Sequence, residues 1–340
     1  MSKTMAEARL LVRAVGPLVS IQDAGRAGKL RYGVCASGPM DRFAYACARA
    51  ALTLDHGCPV VEVSLGGLTL ECMSGEVSLA FAGAEPCIRL DDVRLPAWSV
   101  ATLRQGQTLS ITGGDWGSFS YVSFAGDLQC RRWLGAAATH MLSGLGAGAL
   151  TAGQELVIHS ARTCPDREGA LAVPDFVQPC EEIHAVLGPQ QACFTHDSVE
   201  RFFAHPFSLG TAYDRMGVRL TGPQMELTDA LSIPSEPVIR GSVQVSGDGV
   251  PTVLLADHQT TGGYPKIATV VSVDTDRLVQ LRSGQSIRFS AVSPAEAIGI
   301  TRRVNEEREQ YLASLQQPQG NLAYRLMHYN LIDGVVADLD

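Results

Sequence analysis

Short runs of alternating apolar and polar residues, each closed by a glycine turn, recur along most of the chain. They include VVEVSLGGLTLEC (60–72), VSLAFAGAE (77–85), TLSITGGD (108–115), SYVSFAGD (120–127), ELVIHS (155–160), MGVRLTG (216–222) and VIRGSVQVSG (238–247). A period of two places alternate side chains on opposite faces of a strand, and turns at this spacing predict a mainly β barrel or sandwich. Helical periodicity is confined to three places. DRFAYACARAALTL (41–54) puts Phe43, Ala46, Cys47, Ala50, Ala51 and Leu54 on one helical face. HDSVERFFAHPF (196–207) is a second short helix. In SPAEAIGITRRVNEEREQYLASL (293–315), Ser293, Pro294 and Glu296 stand as N-cap, first helical residue and N3, which is a capping box. QQPQG ends this helix, and the residues beyond it read as an added arm or tail.

The pattern also repeats. ATLRQGQTLSIT (101–112) matches VQLRSGQSIRFS (279–290), and ALTAGQELVIHS (149–160) echoes both. Duplicated β modules explain this, and so does convergence on one favourable turn. CPDREGALAVPDFVQPCEE (164–182) combines prolines and charges with little periodicity and marks a seam. The expected organisation is a β domain over 1–165, a second over 183–300, and a C-terminal helix and tail over 301–340.

Composition narrows the function classes. With 340 residues, 46% hydrophobic and 18% charged, the chain can bury two cores. A net charge of -8 leaves no basic stripe to neutralise phosphates, which argues against nucleic acid. No apolar stretch reaches membrane-spanning length, and MSKTMAEARLLVRAVG lacks a signal-peptide core. Nine cysteines without a CxxC pair suit reduced thiols and a cytoplasmic location, and eight histidines without HxH or HExxH predict no metal.

One loop carries more chemistry than chain reversal requires. ADHQTTGGYPKIAT (256–269) lies between the apolar runs PTVLLA and IATVVSV. Asp257, His258, Gln259, Thr260, Thr261, Tyr264 and Lys266 cluster around Gly262 and Gly263, glycines that permit close backbone approach. A long hairpin satisfying its own backbone is the plain reading; a binding loop on a rigid β scaffold is the functional one. A Walker phosphate loop is excluded, because the pattern is not GxxxxGK[ST] and a strand follows the lysine. In RYGVCASGPMDRFAYA (31–46), Ser37, Gly38 and Pro39 turn into a helix whose first turn holds Asp41 and Arg42. Asp41 there serves either the helix N-terminus or a ligand. YDRMGVRLTGP (213–223) supplies Arg215 and Arg219, expected as structural bridges to carboxylates. Arg240 stands at a strand start with Gln244 on the same strand. Ser37 has no partner His or Asp in sequence and no G-x-S-x-G elbow, so serine-hydrolase chemistry is not expected.

Four segments together resemble one family: QDAGRAGKLRYGVCASGPMDRFA, VEVSLGGLTLE, YDRMGVRLTGP and SEPVIRGSVQVSGDGVPTVLLADHQTTGGYPKIATVVS. They follow the signature of the allophanate hydrolase subunit 2 family, also called the biotin-dependent carboxyltransferase family, KipA or the C-subunit of 5-oxoprolinase. The resemblance spans roughly residues 10–300. It implies two cyclophilin-like β-barrel domains and a partner, a KipI-like allophanate hydrolase subunit 1. In bacterial 5-oxoprolinases that pair works with a LamB/YcsF-type subunit to open 5-oxoproline to glutamate using ATP; in urea carboxylases it forms the carboxyltransferase domain. The chain departs from the family's GSRST-like segment, where it reads LGAAATHMLSG with Ala136, Ala137 and Ala138. The QD(L)GRPG turn is kept as QDAGRAGK.

Substrates of such a family share a planar amide or ureido group. Lys266 and Arg240 can donate to its oxygen, and Asp41, Asp257 and Gln259 can accept from its N–H. The expected catalytic residues are Lys266, Asp257 and Gln259. The expected substrate-binding residues are Ser37, Asp41, Arg42, Arg240, His258, Thr260, Thr261, Gly262, Gly263 and Tyr264. No biotin-attachment AMKM and no nucleotide-binding glycine motif occurs, so ATP, or alternatively biotin, would be presented by the complex. The expected function is a subunit of an ATP-dependent 5-oxoprolinase-type amidohydrolase. The alternatives are a biotin-dependent carboxyltransferase subunit and a regulatory partner of a KipI-like kinase inhibitor.

Overall fold

The computed structural model describes residues 6–178, 180–228 and 232–317. The expected tail after the last helix lies outside the described residues. The mainly β expectation is borne out. The first half pairs its strands into two antiparallel sheets. One runs in the order Asp127–Leu128, Glu155–His159, Glu7–Val15, Leu68–Ser74, Thr108–Thr112, Cys87–Leu90, Val93–Leu95. The other runs Gly169–Ala170, Ser99–Arg104, Glu76–Gly83, Phe119–Phe124, Val60–Ser64, Ser20–Gln22. Glu76–Gly83 and Phe119–Phe124 are buried along almost their whole length. The reason is that helix α1 (Arg42–Ala51) packs on that sheet, covering the face that an exposed sheet would leave polar.

The second half closes on itself as a seven-stranded barrel. Its order is Glu182–Leu187, Lys266–Val270, Ser242–Val245, Pro251–Leu254, Gly217–Thr221, Phe207–Tyr213, Ser286–Ala291, and a parallel pairing of the first and last strands completes it. Closure removes free sheet edges. Helix α2 (His196–Ala204) plugs one region with Phe202, whose ring stacks 4.5 Å from Phe289 and lies 5.5 Å from Phe207.

The loop 256–269 is not a hairpin. Its flanking strands, Pro251–Leu254 and Lys266–Val270, each pair with Ser242–Val245 and so lie on either side of it. The loop therefore crosses the end of that strand, and Thr261–Gly262 pairs on the way with Glu236–Pro237. Beyond it, part of the run read as strand turns into helix α3 (Ser272–Leu278).

The repeat noted in the sequence is one turn built three times. The Gln107, Gln154 and Gln285 side-chain oxygens accept from the N–H three residues back, on Arg104 (2.9 Å), Thr151 (3.1 Å) and Arg282 (2.6 Å). The preceding glycine has φ of 83°, 86° and 85° respectively, a region L side chains avoid.

Helix α4 (Pro294–Gln316) opens with the expected capping box and straps the second half to the first. Leu315 is buried, Tyr311 sits 5.9 Å from Phe43, and its hydroxyl donates to Ala172 O. Arg308 Nη1 donates to Asp276 Oδ2 at 2.8 Å while its guanidinium covers the Phe43 ring.

Candidate functional site

The two halves meet along a polar seam. Arg215, 1% exposed, is its centre: Nη1 donates to Glu62 Oε1 of the first half, and Nε and Nη2 donate to Asp257 at 3.0 and 3.1 Å. Burial alone would lower its pKa, but the two carboxylates raise it above the ordinary arginine value. Arg219 pairs with Asp248 at 2.6 Å. Both arginines thus form the carboxylate bridges expected of them.

The seam also holds several residues expected to face a ligand. Asp41 caps α1, accepting from Ala44 N at 2.9 Å, and its other oxygen accepts from Gln280 Nε2 at 2.8 Å. Arg42 donates to Asp276 Oδ1 (3.0 Å), Thr275 Oγ1 (2.9 Å) and Ser272 O. Arg240 donates to Pro39 O (2.9 Å) and Met40 O, and burial lowers its pKa to about 10. Ser37 holds a positive φ of 53°, and its buried hydroxyl has no partner among the described residues. These four residues belong to the junction of the halves, and none of them lines the clefts described next.

Two clefts flank the loop. The first, about 330 Å³, lies between the halves and is lined by Asp257, His258, Gln259 and Thr260 from the loop, facing Arg26, Cys35, Trp133 and His140. The second, about 510 Å³, lies on the barrel; Gln259 and Tyr264 line it with Gln244 and Arg219. Gln259 is shared by both and donates to Gln244 Oε1 at 2.9 Å. A Cβ at Gly262 would come within 2.4 Å of Gln244 Nε2, so a larger residue here would push the Gln244 amide away from the loop. Gly263 accepts at its carbonyl from the Ile233 N–H at 2.8 Å. Thr261 is exposed on the short strand.

Lys266 lines neither cleft. It is 6% exposed, with Nζ donating to Glu236 Oε2 at 3.2 Å, and Gln190 Nε2 donates to the same oxygen at 2.7 Å. The loop's titratable groups are therefore split: Lys266 sits behind the loop, while Asp257 and His258 face the inter-half cleft.

His258 is the group there best suited to proton transfer. Its Nδ1 lies 2.5 Å from Gln259 O, an acceptor, so Nδ1 carries the hydrogen and Nε2 keeps a free lone pair. Burial lowers its pKa, keeping the imidazole neutral at pH 7. Cys35 Sγ donates to Ala256 O at 3.2 Å, and burial raises the thiol's pKa, so it is held as a neutral thiol.

Sequence patterns do not single out Arg26, Cys35, Trp133 and His140. Arg26 and Cys35 stand within the QDAGRAGKLRYGVCASGPMDRFA segment and His140 within LGAAATHMLSG, which are the signals available for them. The structure explains the QDAGRAGK turn. Asp23 accepts from the N–H groups of Gly25 (2.9 Å), Ala137 (2.6 Å) and Ala138 (3.1 Å). The alanine run thus contributes backbone donors, which do not depend on its side chains.

The chain is thus a two-lobed β protein with a cleft at the lobe junction. The chain belongs to the family described as carboxyltransferase domain, subdomain A and B, whose model matches residues 32–291. It is 33% identical over 290 residues to the C-subunit of 5-oxoprolinase from Haemophilus influenzae, covering 84% of this chain and 92% of that protein. It is 27% identical to the urea amidolyase of Saccharomyces cerevisiae over 82% of this chain and 16% of that protein. Its fold matches the crystal structure of the Kluyveromyces lactis urea amidolyase with a TM-score of 0.81 at 24% identity, covering 93% of this chain and 20% of that one.

Proposed function

We propose that this chain is one subunit of a 5-oxoprolinase-type hydrolase complex of the cytoplasm, in which the inter-lobe cleft receives the cyclic amide. The observation that carries the reading is the convergence on one cleft of a neutral imidazole, a side-chain amide and a buried guanidinium, from His258, Gln259 and Arg26. The similarity to the C-subunit of a 5-oxoprolinase along nearly that protein's whole length supports it. A lactam presents a carbonyl oxygen that gains charge as the ring opens and a nitrogen that must be protonated as it leaves. His258 Nε2 takes a proton from the attacking water and returns it to the leaving nitrogen. Gln259 orients the planar amide by hydrogen bonding, and Asp257 fixes the loop through Arg215 and through the Met141 N–H at 3.1 Å. ATP serves as co-substrate of the complex, with a KipI-like subunit 1 and a LamB/YcsF-type subunit as its partners.

Carboxyl transfer from biotin held by another protein is the second reading, favoured by the family model's description and the urea amidolyase relative. There His258 would remove a proton from the acceptor nitrogen. Co-expression with the two partner subunits decides. ATP-dependent glutamate release from 5-oxoproline, reduced about 10²–10⁴-fold in kcat by His258→Ala, is the expected result. Lys266→Ala is expected to leave kcat nearly unchanged, because Lys266 lines neither cleft and pairs instead with Glu236. Glutamate release that survives His258→Ala would remove the imidazole from the chemistry.

A further inference from the structure

Arg26 borders the inter-lobe cleft at 3% exposure and has an incomplete set of hydrogen bonds. Its Nη2 donates to Ala138 O, whereas Nε and Nη1 are enclosed and have no partner among the described residues. Several other arginines leave one such nitrogen; Arg26 alone among the described residues leaves two. The carboxylates whose charge reaches it are committed elsewhere. Asp23 is held by backbone N–H groups and Arg132, and Asp257 by Arg215. Burial lowers its pKa despite those charges. A buried guanidinium without a paired anion is costly, and such a group beside a cleft is a site for one.

The cover over this group is equally specific. The Trp133 ring lies over the guanidinium, with Cζ 5.2 Å from the ring centroid. Trp133 sits on a two-residue hairpin: its N–H donates to Ala136 O at 2.8 Å, and Ala136 N–H donates back at 3.2 Å. The two turn residues, Leu134 and Gly135, have φ of 49° and 82°. Glycine suits that conformation, while leucine there is strained. The hairpin is exposed at its tip, Leu134, Trp133 itself is half-buried, and the neighbouring Leu142 on the cleft rim is 76% exposed, while the buried Ala136–Ala138 run anchors the hairpin's other end.

We propose that Arg26 anchors the carboxylate of a small cyclic-amide acid, and that the carboxylate displaces the Trp133 hairpin to reach the unpaired guanidinium nitrogens. A carboxylate oxygen that accepts from the unpaired Nε–H or Nη1–H makes a charge-assisted hydrogen bond, stronger than a neutral amide oxygen makes there. The cleft volume of about 330 Å³ is at the small end for ligand sites, which fits a compact acid. The inference rests on the reading that this cleft is the substrate site.

The test is intrinsic fluorescence of the full chain titrated with 5-oxoproline and with 2-pyrrolidinone, the same lactam without a carboxylate. Of the other two tryptophans, Trp98 is buried and donates to Gly83 O and Trp116 does not line this cleft, so Trp133→Phe identifies the signal's source. The expected result is a saturable change with 5-oxoproline, absent with 2-pyrrolidinone and absent in Trp133→Phe. Equilibrium dialysis should show affinity at least tenfold weaker in Arg26→Lys, which keeps the charge and loses the planar donor set. Trp133→Ala leaves Arg26 intact should that variant fail to fold, and it should bind 5-oxoproline several-fold more tightly. Equal binding of the two lactams, no saturation by 5-oxoproline, or unchanged affinity in both variants overturns the proposal. Undiminished glutamate release by a complex carrying Arg26→Lys also overturns it, while leaving the assigned function standing. Arg26-dependent binding without glutamate release by the complex supports the anchor and removes the assigned function.

Discussion

At the scale of single residues, the chemistry of this protein depends on which charged groups are already satisfied. Arg215 is fully paired and Arg26 is not, although both are almost completely buried. Arg215→Met should cost about 3–5 kcal/mol, since it leaves Glu62 and Asp257 buried without their cation. Urea unfolding measures this; a change below about 1 kcal/mol would mean the two carboxylates find other partners. Arginine bridging is legible in sequence from the type of residue and its neighbours. The partners are not, because Glu62 lies more than 150 residues upstream in another sheet.

At the scale of elements, helix α4 matters more than its polar composition suggests. Its capping box and its start at Pro294 are plain in the sequence, because those signals are local. Its role as a strap is not. Only Leu315 is fully buried, and the contacts of this last turn and of Tyr311 to Phe43, Trp98 and Ala172 depend on where the first half places those residues. Leu315→Ala should destabilise the protein by about 2–5 kcal/mol and Ser293→Ala by about 1 kcal/mol, both read from denaturant midpoints. If Leu315→Ala were silent, α4 would not be holding the halves together. The loop 256–269 shows the opposite failure of local reading. Its composition marks it as a candidate binding loop, but its path past Ser242–Val245 separates Lys266 from Asp257 and His258.

At the scale of the molecule, the seam carries a pH dependence of its own. Burial and the adjacent Asp276 push the Asp41 carboxyl up to about 6. Burial also opposes ionisation of Asp276, yet Arg42, Arg308 and Arg240 hold it down to about 2. For Asp276 the folded pKa is below the unfolded value, so its contribution appears as pH rises through the range from 2 to 3.8. For Asp41 the folded pKa is above the unfolded value, so its contribution is complete below pH 3.8 and is lost as pH rises through 6. Asp41→Asn keeps the cap through its oxygen and removes the titration, at the cost of the bond from Gln280 Nε2, a cost that does not vary with pH. The difference in stability between wild type and this variant should therefore shift between pH 4.5 and pH 7, with the wild type relatively weaker at the higher pH. A constant difference across that range would show that Asp41 titrates in its ordinary range.

The sequence by itself determined the strand-and-turn content, the three helix starts, the repeated glycine–glutamine turn and the family. Those features are set by periodicity, caps and turn residues acting over a few positions. Tertiary structure alone decided which polar residues bind and which brace. Asp41, Arg42 and Arg240 have the same donors and acceptors whether they face a ligand or another lobe, and only the meeting of the two halves commits them to the seam. Arg26 is likewise left buried with two nitrogens that have no partner among the described residues, a condition set by residues far along the chain, such as Ala138 and Trp133, and so invisible to any local pattern.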